Sequence, residues 1–400
     1  MNIIRRAISI FLIVAVMGGV VYIDQRQTEL SEGASRGIVS MAGFPHSIKS
    51  NRISSSWFCP GAAAGDGLDS ASVFISNPSD TAITAAVSFL SNSPMESQTV
   101  EVPARNHSVV DVLRGRTVGV IVPVVEIIGS VGTVEQQLIY AAGDVTSQCV
   151  SQTSSTWYFA DGFTAQGSSQ RLVLTNPYPE SAVVNVAYVT KEGKRSPTGL
   201  QGLILGPRTS RSLSLAEFGA TDESSIALEV EATTGQIIAS RMQHYLGGGR
   251  LGYSTTIGIP VALNEWWFAA GRTGPQVSER LVVFNPSASL AQVNVSFFGE
   301  GITNGTIIDE NASAAAPSAT VDIPAGAVLL INTDDLADLP KGEHAMVVSS
   351  IGKVPVVVEH VLSQITGGSS FTAITNGVPA ALATQEWRIP SGLSNGTRNA

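Results

Sequence analysis

Residues 155–162 read STWYFADG, and shortly after them residues 171–177 read RLVLTNP. The pairing recurs. WWFAAG (266–271) precedes RLVVFNP (280–286), and WFCPG (57–61) precedes SVFISNP (72–78). Trp57 stands 20 residues before Asn77, while Trp157–Asn176 and Trp266–Asn285 are both 19 apart. Past each Asn, apolar residues return at offsets of 8, 10 and 12: Ala85, Val87, Phe89; Val184, Val186, Tyr188; Val293, Val295, Phe297. Small or polar residues fill the positions between them. Alternation with period two is the mark of a half-buried strand, and its triple recurrence at shared offsets marks a triplicated unit.

The Asn-Pro step gives the strand an end. Proline has no N–H and holds the preceding residue extended, so ladder pairing stops there. The Asn side chain can bond the backbone just beyond it and start a turn. Further strands align after it: VEVP (100–103), LILGP (203–207) and VDIP (321–324), then VVDV (109–112), SLSL (212–215) and VLLI (328–331). Gly132, Gly235 and Gly352 each suggest a hairpin turn before a return strand. His244 and His360 fall in corresponding return strands. The expected fold is all-β: tandem immunoglobulin-like antiparallel β-sandwich repeats of seven or eight strands, following one N-terminal transmembrane helix. Repeat one is expected over 54–153, repeat two over 154–263 and repeat three over 264–385. A tail over 386–400 opens a fourth Trp motif at Trp387 and stops before any Asn-Pro strand.

Composition narrows the class. Charged residues make up 14% of 400 and apolar residues 44%, with a net charge of −9. No basic block follows Arg5-Arg6, and without a clustered basic face phosphate neutralisation fails, so nucleic acid is not an expected partner. Residues 7–23 (AISIFLIVAVMGGVVYI) are uncharged and follow two arginines. That pattern predicts a cytoplasmic tail and signal-anchor over 1–23, with the bulk outside the cytoplasm; secretion after signal cleavage is the alternative. Residues 24–53 read as a flexible stalk. In an exported chain the only two cysteines, Cys59 and Cys149, are expected to form a disulfide stapling repeat one.

Chemical motifs are sparse. GGGRLG (247–252) has dinucleotide-loop spacing, but YSTTIGIP follows instead of a helix, which predicts a Gly-rich hairpin. Among the five histidines none has metal-ligand spacing. NTDDLADLP (332–340) lacks the Gly and Glu of a calcium loop and reads as a short helix capped by Asn332 or Thr333. No catalytic, cofactor or metal residue is expected. Trp57, Trp157, Trp266 and Trp387 read as structural markers filling a core or the joint between repeats, as Asn77, Asn176 and Asn285 do at the strand ends. Tyr158 and Trp267 lie one position on, on the opposite strand face, and are the candidate partner-binding aromatics.

The membrane segment, the WFCPG start and the repeated WYFADG…LVLTNP units together resemble an actinobacterial family of exported, membrane-anchored β-repeat proteins, a domain of unknown function. The resemblance covers about residues 50–390 and implies an extracytoplasmic β-rich fold; it transfers no catalytic residue. The function expected is non-enzymatic: a membrane-anchored binding or scaffolding component of the bacterial cell envelope, with an envelope protein or cell-wall glycan as partner. The alternatives are a glycan-binding module array and, less favoured, a cell-wall hydrolase.

Overall fold

The computed structural model describes residues 44, 54–92, 97–128, 132–299, 318–336, 339, 341–366 and 369–382. Residues 7–23, most of 24–53, Trp387 and the tail 386–400 lie outside the described residues. Among those described, no helix is long and apolar enough to cross a membrane. Every regular element is a strand or a short 3-10 turn.

The first block (54–153) contains β1 (Ser54–Phe58), β2 (Ala62–Ala64), β3 (Leu68–Asn77), β4 (Ile83–Leu90), β5 (Ser97–Val102), β6 (Asn106–Asp111), β7 (Gly119–Ile128), β8 (Thr133–Tyr140) and β9 (Gly143–Gln148). The second (154–263) contains β10 (Thr156–Phe159), β11 (Ser169–Asn176), β12 (Ala182–Thr190), β13 (Gly193–Arg195), β14 (Leu203–Leu205), β15 (Thr209–Ser214), β16 (Ala227–Thr234), β17 (Ile238–Gly247) and β18 (Arg250–Ile257). The third (264–385) contains β19 (Glu265–Thr273), β20 (Val277–Phe284), β21 (Ala291–Phe298), β22 (Ser318–Ile323), β23 (Val328–Asn332), β24 (Gly342–Ile351), β25 (Val357–Thr366) and β26 (Ser369–Asn376).

One strand order recurs in each block. The front sheets run β1-β7-β4-β5, β10-β16-β12-β13 and β19-β24-β21-β22. The back sheets run β6-β3-β8-β9, β15-β11-β17-β18 and β23-β20-β25-β26. All pairings between these strands are antiparallel. The residues at offsets 8, 10 and 12 are all buried between the two sheets of their block. Gly235 and Gly352 do turn the chain with positive φ, yet β7–β8, β16–β17 and β24–β25 are not hairpins. Each connection carries the chain from the front sheet to the back one. Gly132 shows why a small residue suits the crossing, since a Cβ there would lie 2.6 Å from Ile127 Cδ1 and 3.1 Å from the Ser76 carbonyl oxygen. The Gly-rich stretch does form a hairpin between β17 and β18, turning at Gly248 and Gly249 with φ of +66° and +75°. At 333–335 there is only a 3-10 turn; Asn332 donates to the Asp335 carboxylate rather than capping it.

The three asparagines clip the sheets together. Asn77 Nδ2 donates to the carbonyls of Thr81, Val102 and Pro103 at 2.8, 3.1 and 3.1 Å. Asn176 does the same to Glu180, Leu205 and Gly206, and Asn285 to Ser289, Ile323 and Pro324. Each Oδ1 accepts the N–H two residues on, from Ser79, Tyr178 or Ser287. The asparagine ends a back-sheet strand, while Val102, Leu205 and Ile323 end front-sheet strands, so one side chain ties both layers to the turn. Cys59 and Cys149 are bonded, closing a separation of 90 residues within the first block. In the chain-entropy account such a loop contributes about 4–5 kcal/mol.

The phased tryptophans among the described residues, Trp57, Trp157 and Trp266, are core residues rather than joints between blocks. Trp157 and Trp266 are fully buried, and their indole N–H groups donate to Ile237 and Val356 carbonyls of their own blocks. Trp57 lies in a cluster made of first-block residues and Tyr253. Phe44, inside the expected stalk, is 4% exposed and packs 5.8 Å from the Trp266 ring, so this residue belongs to the packed body rather than to a free coil.

Replacing Asn176 with Ala removes three donated bonds and strands the carbonyls they served. Urea unfolding should show a loss of about 2–3 kcal/mol. Asn176→Asp should also destabilise, because it keeps the acceptor and loses the donors; an unchanged midpoint in either variant would refute the clip.

Candidate functional site

A single register position on the return strand services the bend after each Trp strand. Gln136, Arg241 and His360 stand opposite Val73, Leu172 and Leu281. Gln136 accepts from Gly61 N–H at 3.0 Å and donates to its carbonyl at 2.6 Å. Arg241 Nη1 donates to the Asp161 carbonyl. His360 Nε2 lies 2.8 Å from Glu279 Oε1, which also accepts the Arg272 N–H at 3.0 Å. His360 therefore matches Arg241, and His244, opposite Ser169, stands three residues out of register with it.

The residue just before this position faces the preceding block. Ser240 Oγ donates to the Pro60 carbonyl at 2.6 Å, joining blocks one and two. Glu359 Oε2 accepts the Asp161 N–H at 2.6 Å, joining blocks two and three. At that second joint a charged group has been built inside the protein. Arg241 is bidentate to Glu359 at 2.9 and 3.1 Å. Arg250, delivered by the hairpin at Gly248-Gly249, contacts both Asp161 oxygens at 2.9 and 3.0 Å. Tyr245 Oη donates to Asp161 Oδ2 at 3.0 Å. All four charged residues are at most 1% exposed. The guanidinium carbons of Arg241 and Arg250 lie 5.3 and 5.2 Å from the Phe159 and Phe163 ring centres. Burial would raise the Asp161 carboxyl, but Arg250 and then Arg241 outweigh it and hold it below the usual range. Burial raises the Glu359 carboxyl, with Arg241 opposing. Two cations facing two anions cancel, which is the condition for tolerating charge at this depth.

In the third block Glu279 lies between two histidines. His344 Nε2 is 2.8 Å from its Oε2, too oblique for an aligned hydrogen bond. Thr375 Oγ1 lies 3.2 Å from His360 Nδ1, so Thr375, His360 and Glu279 follow the order of nucleophile, base and orienting acid. Thr375 lines neither the cleft between blocks one and two nor the opening between blocks two and three. Burial would raise the Glu279 carboxyl, yet the adjoining imidazoles of His344 and His360 bring it down to about 2.

Blocks one and two enclose a cleft of about 240 Å³. Tyr140, Tyr253 and His244 stack along its wall, with ring centres 3.8 and 4.1 Å apart and planes within 5° and 13°. Asp66 pairs with Arg171 at 3.1 Å at the same place. Burial lowers the His244 imidazole, with Asp66 opposing. A second opening, of about 320 Å³, lies beside Gly249, Val277, Arg280 and Ile365 between blocks two and three. Among the described residues no group of His, Cys, Asp or Glu side chains is arranged to hold a metal ion.

Residues 128–249 match the model of a family of unknown function, DUF5719. The matched span takes in Asp161, Arg241 and Tyr245, and stops one residue before Arg250. No curated protein matches the chain. Two solved structures are similar at low levels. One, a crystal structure of Thermotoga maritima 1070, has 16% identity and a TM-score of 0.24 over 29% of this chain and 94% of that one. The other is Streptomyces avermitilis alpha-L-rhamnosidase complexed with L-rhamnose, at 11% identity and a TM-score of 0.18; the match covers 79% of this chain and 45% of the rhamnosidase.

Of the two candidate aromatics, Trp267 is exposed and Tyr158 is half-buried, its ring 6.3 Å from that of Phe284 in the third block. Tyr158 does not reach outward as expected, because the next block stacks on it. The charged joint was not foreseen from sequence. Its signal was a lone arginine, Arg241, in the apolar alternation of QIIASRMQHY, since an arginine in a buried run must carry a partner.

Glu359→Gln keeps the shape and leaves Arg241 buried without its counter-ion. Denaturant unfolding should register a loss of about 3–5 kcal/mol. An Arg241→Met/Glu359→Met double variant should cost less than either charge-stranding single change, and a larger cost would count against the pairing. For Glu279, the folded carboxyl titrates below the unfolded value of about 4.3, so its contribution is full above that pH and lost as pH falls toward 2. It amounts to something on the order of 3 kcal/mol. Thermal melts between pH 5 and 2 should fall less steeply for Glu279→Gln than for the parent chain.

Proposed function

We propose that this chain is a non-enzymatic, membrane-anchored extracytoplasmic protein that binds or positions a component of the bacterial cell envelope, carried on three immunoglobulin-like sandwiches. The observation that supports it most is where the ionisable chemistry lies. Asp161, Arg241, Arg250 and Glu359 are spent on a joint, and Glu279, His344 and His360 are buried inside the third block. Groups held this way stiffen an array and are withheld from substrate. A disulfide in a chain with a basic, then apolar N-terminus fits an oxidising compartment.

The immunoglobulin comparison rests on neighbours. β3 beside β6 and β4 beside β7 and β5 reproduce the B–E and F–C–C′ pairings of a variable-type domain. The ends are exchanged: β1 takes the place of the last strand, beside β7, and β8 takes the place of the first, beside β3. A glycan-binding reading is favoured by one feature, the half-buried His244 ring, backed by Tyr253 and set in the cleft with Asp66 and Arg171, since a ring face next to planar polar groups suits a sugar surface.

Protease added to intact cells should digest the three blocks, and protection of the chain would overturn the extracytoplasmic placement. On purified wall polysaccharide, retention that Tyr253→Ala abolishes and Trp267→Ala does not would favour the glycan reading at the cleft. No retention of the parent chain would remove that reading and leave a protein partner.

A further inference from the structure

Blocks two and three carry the same arginine five residues before the Asn of their Asn-Pro step: Arg171 in RLVLTNP and Arg280 in RLVVFNP. They stand opposite Met242 and Val361, each one residue past the register position that services the bend. What the preceding block offers them differs. At the first joint the turn between β2 and β3 holds Asp66 and Gly67 at φ of +51° and +79°. Across that joint Asp66 Oδ2 meets Arg171 Nη2 at 3.1 Å. The turn recurs in block two with Gln166 and Gly167 at φ of +56° and +81°. Asp66 and Gln166 each follow their phased Trp by nine residues. Gln166 is neutral, and its Oε1 accepts the Gly248 N–H at 2.7 Å. The second joint has the arginine without the acid.

Among the described residues no other acid takes that place. The charged groups that act on Arg280 are Arg250, Asp161 and Asp334. Asp161 is held by Arg250, and Asp334 faces Lys341 at 3.7 Å; neither forms an ion pair with Arg280. Arg241 with Glu359 and Arg250 with Asp161 cancel, which leaves Arg280 as the surplus cation. It is half-buried, and burial, then Arg250, hold its guanidinium below the usual value. A cation drawn partly out of water beside another cation is unfavourable until an anion meets it. Arg280 borders open space, lining the opening of about 320 Å³ with Gly249, Val277, Ser278 and Ile365. The β17–β18 hairpin passes the guanidinium at Gly249, where a Cβ would lie 3.9 Å from Arg280 Nη2, and puts no side chain over it. Val277 and Ile365 supply apolar walls, the second of them 43% exposed. Small-molecule sites have volumes of about 300–1,000 Å³, and this opening falls within that range.

We infer that the opening between blocks two and three binds a small organic carboxylate. Its anionic group takes on Arg280 the place that Asp66 takes on Arg171, and its apolar portion lies against Val277 and Ile365. The equivalent arginine already holds a carboxylate in this fold, and the planar guanidinium fork matches that group. Inorganic phosphate would leave the two apolar walls uncovered. The site is separate from the His244 cleft, where Asp66 already neutralises the arginine. A scaffold needs no such site, so the inference goes beyond the envelope reading and does not rest on it.

Ligand-observed NMR titrations of the full-length chain in an uncharged detergent test it. The probes are acetate, propionate and butyrate, with butyramide as the uncharged control. Butyrate should bind saturably, and affinity should rise about two- to fourfold with each methylene added to acetate. Butyramide should not bind. Arg280→Gln should weaken butyrate about 10- to 100-fold. Arg280→Lys should weaken it less, because it keeps the charge and loses the fork. Arg211→Gln, at an exposed arginine on the edge strand β15, should change nothing. Unchanged far-UV circular dichroism and thermal midpoint establish that Arg280→Gln folds; where it does not, Arg280→Lys carries the comparison. Butyrate that does not saturate, butyramide that binds as tightly, or full affinity in the folded Arg280 variant would each overturn the inference. Inorganic phosphate held through Arg280 more tightly than butyrate would overturn the carboxylate assignment.

Discussion

Ladder hydrogen bonds hold strands within a sheet, but they say nothing about how two sheets sit face to face. Apolar packing between layers is weakly directional and tolerates sliding. In this protein the offset is set by an amide. Asn77, Asn176 and Asn285 each end a back-sheet strand, reach a front-sheet strand end and hold the turn between them. Once the layers are aligned, the alternating residues of β4, β12 and β21 meet the facing sheet, and the Trp strand can close the front edge. The proline that follows in each case stops the ladder where the amide takes over.

A similar economy governs the bends. The chain leaves each Trp strand through a backbone segment that needs partners inside the protein. Glutamine, arginine and histidine at one register position meet that need in three chemistries. Glutamine serves alone, since one amide can both donate and accept. Arginine brings a charge and so requires Glu359, which the following block supplies; this makes the second joint an obligate pairing of neighbours. Histidine reaches its bend through Glu279. The same topological demand thus yields a neutral contact, an inter-block ion pair and a buried acid between two imidazoles.

Much of the fold was legible because it depends on local periodicity. The +8, +10, +12 alternation, the Asn-Pro ends and the paired cysteines are read along the chain, and each is where the structure has a buried strand face, a sheet clip or a disulfide. The crossing glycines misled, since a turn to the partner strand and a turn to the other layer carry the same residue. The position after the phased Trp misled at Tyr158, which the next block covers. The motif's recurrence signals structural importance, but alternation alone does not tell a strand's inner face from a face another block will cover. The ion group at Asp161 is farther still from the sequence: its members are separated by up to 198 residues and meet only after two blocks have folded and docked.

By itself the sequence determined the strands, their inward faces, the threefold recurrence and the strand ends, because burial periodicity and the conformational limits of Asn-Pro act over a few residues. Only the tertiary structure decided which sheet each strand joins, that Tyr158 is covered while Trp267 is bare, and that Arg250 serves Asp161. Those outcomes depend on which surfaces are left after the blocks stack, and the energy of a buried charge or an exposed ring is set by its neighbours in space.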